Sequence, residues 1–298
     1  MSSLSANQRG IVAILACMSA YSVNDALVKQ ILVSHPVGEV IFVRGVMACT
    51  IIGALAFGLG HGHQLRAAMD RVLAMRSVYD GLSTFCFIAA LSQMPMASVA
   101  AVLQIAPLLI TVLSVIVYRE LVGWRRWIAI AVGFAGALLI LKPAPGTFDV
   151  FALVAAGAAF FSALREMQTR RIHAGVPTLV IAFWGAIAIT FCGALTGLTE
   201  QWKPIAADEL VKLLIAAIFV AIAIYLMAAA YRGVDLSVVA PFRYSYLLTS
   251  AIAGYLVFAE VPDGWSIAGA VLIAASGLYL LHREAVRRRG LAKTVAAE

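Results

Sequence analysis

Ten runs of mostly apolar residues follow one another along the chain, near 10–33, 36–59, 70–92, 96–118, 124–142, 147–171, 177–199, 208–231, 236–259 and 264–282. Each is close to the 20 or so residues that an α-helix needs to cross the hydrocarbon core of a bilayer. Turn and charge punctuation separates them: His35-Pro36, GHGHQLR at 60–66, MP at 94–95, REL-VGW around 120 and KPAPG at 142–146. HAGVP at 173–177, EQWKP at 200–204, RGVD at 232–235 and EVPDG at 260–264 complete the series. Only 12% of the residues are charged, about half the share of a soluble domain. The deficit extends along the whole length, which leaves no segment for a soluble domain. The sequence predicts an all-α membrane protein of ten transmembrane helices.

Charge placement orients it. The net charge of +7 would suit nucleic acid or a membrane surface, and its distribution favours the membrane. Lys and Arg concentrate on the cytoplasmic side of membrane proteins. With the N-terminus inside, Arg9, Arg66, Arg71, Arg119, Arg125, Arg126, Arg170, Arg171, Arg232 and the tail cluster from Arg283 to Lys293 fall on that side. The opposite face receives Lys142, Lys203 and Lys212, besides Lys29 near a helix end. Both termini are expected in the cytoplasm. Cys17, Cys49, Cys86 and Cys192 sit in apolar runs without metal-like spacing and read as packing residues.

The first run contains SAYSVNDALVKQI at 19–31, where Asn24, Asp25 and Lys29 interrupt an apolar surround. Charges at the centre of a bilayer cost roughly 2.5–3.5 kcal/mol on insertion scales, so they need a reason to be there. A second copy supplies a clue. At an offset of 141, YSVNDALVKQI (21–31) lies over SALREMQTRRI (162–172), so that Asp25 meets Glu166 and Lys29 meets Arg170. Pro36 then falls on Pro177 and Phe42 on Phe183. At an offset of 140, AALSQMPMASVAA (89–101) lies over AAYRGVDLSVVAP (229–241), and Glu120 meets Glu260. The offset returns to 141 at Trp124 and Trp265. The chain therefore divides into a first five-helix repeat at 1–143, a second at 144–284 and a basic tail at 285–298. Five crossings per half is an odd number, so the second half is inverted, as in many secondary transporters. The first run could be read as a signal peptide with Arg9 at its start, but its internal copy would never be cleaved.

Two five-helix repeats, P-x5-F-x-R at 36–44 and a Glu after the fourth helix of each half resemble the drug/metabolite transporter superfamily, and within it the EamA-type transporters, over the whole length. The stretch RSVYDGLSTFCFIAALSQMPMASVAAVLQIAPLL is most similar to bacterial exporters of aromatic amino acids called YddG. The resemblance implies export of metabolites through a central cavity lined by spans 3, 4, 8 and 9, with spans 1, 2, 6 and 7 moving around it.

Candidate site residues follow from depth and periodicity. Arg76, Tyr79, Asp80, Ser83 and Phe87 recur at three- and four-residue steps and share one helix face. Tyr79, Asp80 and Ser83 are expected at the cavity. Arg76 could snorkel or simply satisfy Asp80. Arg243 lies about 9 Å deep, at 1.5 Å per residue from Leu236. With Tyr244 and Tyr246 beside it, it offers a guanidinium for a carboxylate and rings for a substrate side chain. Gln104, near the interruption expected at Pro107, and Tyr225 are further cavity candidates. Arg44, about 12 Å into the second span, needs a buried partner, for which Glu39, Asp25 and Asp80 are available. Asn24, Asp25, Arg44, Arg76, Glu166 and Trp184 are assigned to gating or structural polar contacts. Lys29 is expected to snorkel to the interface.

No HExxH, GxSxG or phosphate-loop motif occurs in the sequence. The reading is an inner-membrane, monomeric secondary transporter without cofactor or metal, exporting aromatic and other neutral amino acids across the lipid bilayer by alternating access through a central cavity and not binding nucleic acid. A multidrug or other metabolite exporter is the alternative, and a membrane-embedded enzyme is the alternative of another class. Asp80, Asp25 and Glu166 are the candidate proton carriers if transport is proton-driven.

Overall fold

The computed structural model describes residues 6–67, 70–119, 123–141, 150–173, 175–230 and 239–295. Every regular element among them is helical: α1 (Ala6–Ile31), α2 (Val37–Gly58), α3 (Gln64–Ala67), α4 (Arg71–Leu91), α5 (Met96–Leu103) and α6 (Ala106–Tyr118). The chain continues with α7 (Trp124–Leu141), α8 (Val150–Thr169), α9 (Thr178–Thr196), α10 (Ala207–Ala230), a 3₁₀ turn (Ala240–Tyr244), α11 (Ser245–Phe258) and α12 (Gly264–Val295). In hydrocarbon no water can satisfy a backbone N–H or C=O, so apolar runs of this length settle as helices. Eight segments are long and apolar enough to cross a membrane, with α5 and α6 counted together as one of them. Two expected spans are shorter: the apolar part of α7 is Trp127–Ile140, and α11 has 14 residues because the 3₁₀ turn precedes it.

Punctuation acts where the backbone chemistry requires it. Pro36, Pro95 and Pro177 stand as extended N-caps of α2, α5 and α9, where a missing N–H costs nothing. Pro107 interrupts the fourth span: α5 ends at Leu103, the fourth residue before the ring, and α6 begins at Ala106. The proline ring clashes with the carbonyl four residues back, which stops the helix there. The last helix does not stop near His282 but runs on to Val295, so the basic tail continues α12. The breaks expected at KPAPG and RGVD, and Glu120, lie outside the described residues.

The packing pairs exchange under the sequence offset. α1 packs along α10 and α4 along α8; α2 packs on α10 and α4 on α9; α1 meets α11 and α6 meets α8. Each pair becomes its companion when every helix is replaced by its copy. Two pairs map onto themselves, α2 with α9 and α7 with α12. In the first, Gly45 faces Thr190 and Gly53 faces Phe183, so the helices run antiparallel. In the second, Gly133 faces Ser276 and Gly136 faces Gly269 and Leu272, again antiparallel. Arg119 and Ala259, which are copies of each other, close α6 and α11 in the left-handed conformation, the usual way to end a helix.

Candidate functional site

A chain of alternating charges joins α4, α8 and the 3₁₀ turn. Arg76 Nη1 donates to Asp80 Oδ2 at 2.8 Å, one helical turn away on α4. Arg165 Nη1 donates to the other oxygen, Oδ1, at 2.9 Å, and its Nη2 reaches Ser162 Oγ at 3.2 Å. The same Nη2 lies 3.9 Å from Glu166 Oε1, which accepts from Arg243 Nη2 at 3.1 Å. Gln104 Nε2 donates to the Arg243 carbonyl at 3.4 Å. Among the described residues, three guanidinium groups and two carboxylates thus alternate along this chain. The inner end at Asp80 is buried, whereas the Arg243 side chain keeps 35% of its exposure. Charge-assisted pairs are the strong hydrogen bonds of low-dielectric surroundings.

Arg165 is the member that the sequence reading missed, and the repeat held the signal. It occupies the position of Asn24 in the second copy, beside Glu166 at the position of Asp25. Arg44 of the first copy corresponds to Gly185 in the second. A Cβ built on Gly185 would fall 2.5 Å from Asp80 Oδ2 and 2.7 Å from Arg76 Nη1. The glycine makes the room that the Arg76–Asp80 pair fills.

The first copy builds a different cluster between α1, α2 and α11. Tyr246 donates its hydroxyl to Asp25 Oδ2, and Asn24 Nδ2 donates to Oδ1 at 2.8 Å. Arg44 Nη1 donates to Asn24 Oδ1 at 3.0 Å. All four side chains are buried. Arg44 therefore meets Asp25, one of its three expected partners, only through an amide. Ser22 Oγ adds hydroxyl contacts to Thr249 at 2.7 Å and Ser250 at 3.2 Å.

Polar contacts also tie helix ends together. Lys29 does not snorkel: its Nζ donates to Glu260 Oε1 and to the Met94 carbonyl, while Glu260 Oε2 accepts from the Met96 N–H at the start of α5. The depth of Lys29 suited snorkelling, but an acid and a backbone carbonyl lie closer. Between α1 and α2, buried His35 bridges two acids, with Nδ1 3.1 Å from Glu39 and Nε2 2.9 Å from Glu209. Burial works to lower its pKa, but the hydrogen bonds and charges of Glu39 and Glu209 outweigh this and raise it above the usual 6.5. A raised histidine contributes stability that is complete below its unfolded value and lost as pH rises through the folded one. The wild type is therefore expected to melt a few degrees lower as pH climbs from about 6.5 towards 9, and His35→Gln to remove that slope, as read by detergent thermal scans.

Several expected residues stand elsewhere. Tyr225 is 65% exposed and shares the outer stripe of α10 with Ile218 and Ile222; the buried alanines Ala216, Ala217 and Ala223 take the inner face, so the larger ring points outward. Trp184 donates to the Leu65 carbonyl at 2.8 Å and pins α3. Ser83 donates to the Ala158 carbonyl at 2.9 Å, clamping α4 to α8. The Tyr244 hydroxyl lies against Gly277 of α12, whose missing Cβ leaves room for it. Tyr246 binds Asp25 instead of the Arg243 network. Tyr79 is half-buried and makes no hydrogen bond among the described residues.

Long apolar helices around a buried, partly exposed charge network define a multi-pass membrane protein. The chain belongs to the EamA-like transporter family, whose pattern it matches twice, over residues 8–142 and 150–281. It is 27% identical over 278 residues to the S-adenosylmethionine uptake transporter of Rickettsia prowazekii, covering 92% of this chain and 93% of the relative. The riboflavin transporter of Vibrio cholerae is 33% identical over 191 residues, 63% of each chain. The pseudopaline exporter of Pseudomonas aeruginosa is 26% identical over 275 residues, 91% of this chain and 94% of the relative. A solved crystal structure shares the fold with a TM-score of 0.64 at 20% identity, covering 92% of this chain and 98% of the other.

Proposed function

We propose that this protein is a secondary transporter for small metabolites that carry an aminocarboxylate, either amino acids or larger amino-acid derivatives. The observation that carries the reading is the Arg76–Asp80–Arg165–Glu166–Arg243 chain, in which guanidinium and carboxylate groups alternate from a buried Asp80 to a partly exposed Arg243. A substrate carboxylate is received by the partly exposed Arg243 guanidinium, and its ammonium by Glu166. S-adenosylmethionine, moved by one relative, bears such an aminocarboxylate, which favours a broader metabolite class over free aromatic amino acids alone. The paired matches to one family pattern support two repeats of five crossings. The antiparallel self-pairs support an inverted arrangement, because only a two-fold axis in the membrane plane sets a helix antiparallel to its own copy. Ten crossings place both termini on one side, the cytoplasmic side of an inner membrane by the charge bias, and a monomer suffices. In such a carrier the gradient, not the site, sets the direction of net flow.

Counterflow in proteoliposomes with radiolabelled S-adenosylmethionine, phenylalanine and riboflavin tests this. Exchange of the first or second, lowered about 10- to 100-fold in Arg243→Gln as expected for one lost charged hydrogen bond, supports the reading. Exchange of riboflavin alone, or of cationic drugs that move faster in Arg243→Gln, sinks it.

A further inference from the structure

Three acids lie deep in the helices among the described residues, and they are not equivalent. Asp80 accepts from two guanidinium groups, and Glu166 lies beside two. Asp25 accepts only from neutral donors, the Tyr246 hydroxyl and the Asn24 amide. Its nearest cation, Arg44, is held one residue away through Asn24, and the Arg44 Nε has no acceptor among the described residues. Among the described residues, the remaining surroundings of Asp25 offer no further charge. The α10 segment between Leu213 and Ala223 is apolar, and Phe87, Leu91 and Met96 close the side towards α4 and α5. Tyr21 lies one turn back on α1, and Arg243, on the turn before α11, is directed to Glu166.

We propose that Asp25 is a proton-binding carboxylate whose loading frees α2 from α1 and α11. The carboxylate and Arg44 balance each other through the Asn24 amide, and this balance is what fixes α2 against the other two helices. A proton transferred from water to Asp25 gives a neutral carboxyl that still hydrogen-bonds Tyr246. It leaves Arg44 as a buried cation without a counter-charge, which is strongly unfavourable. The protonated protein relaxes by moving α2 until Arg44 reaches water or another acid. Linkage then requires the converse: any movement that releases Arg44 favours proton uptake. The hydroxyls of Ser22, Thr249 and Ser250 next to Tyr246 give the proton a polar approach between α1 and α11. The inference rests on the transporter reading only in making this movement part of a transport cycle.

The test needs no substrate. The purified full-length protein is titrated with acid in detergent micelles while the infrared C=O stretch of protonated carboxyls is followed. A band that grows on acidification, is absent in Asp25→Asn, returns in Asp25→Glu and moves to higher frequency in Tyr246→Phe supports the proposal. In parallel, spin labels on Val46→Cys and Leu248→Cys, both outward-facing, in a variant whose native cysteines are replaced by serine, report the α2–α11 distance. That distance is expected to change with the midpoint of the band, and to stay fixed over the same range in Asp25→Asn. No titrating band in the wild type, a band that survives in Asp25→Asn, or a distance change that persists without Asp25 overturns it. Absence of solute exchange in proteoliposomes would count against the transporter reading alone.

Discussion

Asp80→Ala is expected to lower stability in mild detergent by about 3 kcal/mol and to abolish solute exchange. The variant removes the only acid that touches Arg76 among the described residues, and it takes from Arg165 its direct ion-pair partner. Truncating one member of a buried ion pair typically costs about 3–5 kcal/mol, because the remaining charge stays desolvated. The lower end applies here. Arg165 is 28% exposed, keeps Ser162 and still lies near Glu166, and Arg76 keeps the Ile181 carbonyl at 3.3 Å. Arg76→Met in the same chain should recover part of the loss, since it withdraws the more buried stranded cation. Solute exchange should not recover with it, because the alternating chain from Arg76 to Arg243 stays broken. Thermal scans of the single and double variants, read beside counterflow, separate the two effects. A single variant that melts like the wild type would show that Asp80 does not hold α4 to α8.

Much of this was legible in the sequence, and the parts that were not share a physical cause. Apolar run length gave the helices, Pro107 gave the break between α5 and α6, and the copied NDALVKQI segment marked both polar clusters. Asp25 and Glu166 could be singled out because a membrane acid is costly wherever it sits. Their partners could not, since Tyr246 and Arg165 depend on the rotation and register of one helix against another. Tyr225 shows the same limit: periodicity places it with Ile218 and Ile222, but not which side that stripe faces. Lys29 was misread because Glu260 is 231 positions away, beyond anything local pattern encodes. Gly185 was invisible for the opposite reason, since it matters through the side chains that it leaves room for.

Gly193→Leu is expected to be the most damaging single change in the scaffold, costing about 3 kcal/mol or more, at or beyond the upper end of ordinary overpacking. Even a Cβ at this position would fall 2.7 Å from the Phe42 nitrogen and 2.8 Å from the Gly38 carbonyl oxygen. Both are backbone atoms of α2, so no side chain can swing aside, and the whole helix must retreat from α9. Retreat would carry Gly38 away from Glu200, which accepts its N–H at 3.1 Å, and Cys49 away from Thr190, its own copy, at 3.5 Å. The damage therefore extends along the self-paired crossing on which the two halves of the chain meet. Size-exclusion profiles and thermal scans of Gly193→Leu should show loss of the monodisperse, cooperatively melting species. Gly58→Leu, where a Cβ meets nothing within 4 Å, should leave both unchanged. If Gly193→Leu folds and melts as the wild type does, α2 and α9 do not cross this closely, and the antiparallel self-pairing loses its main support.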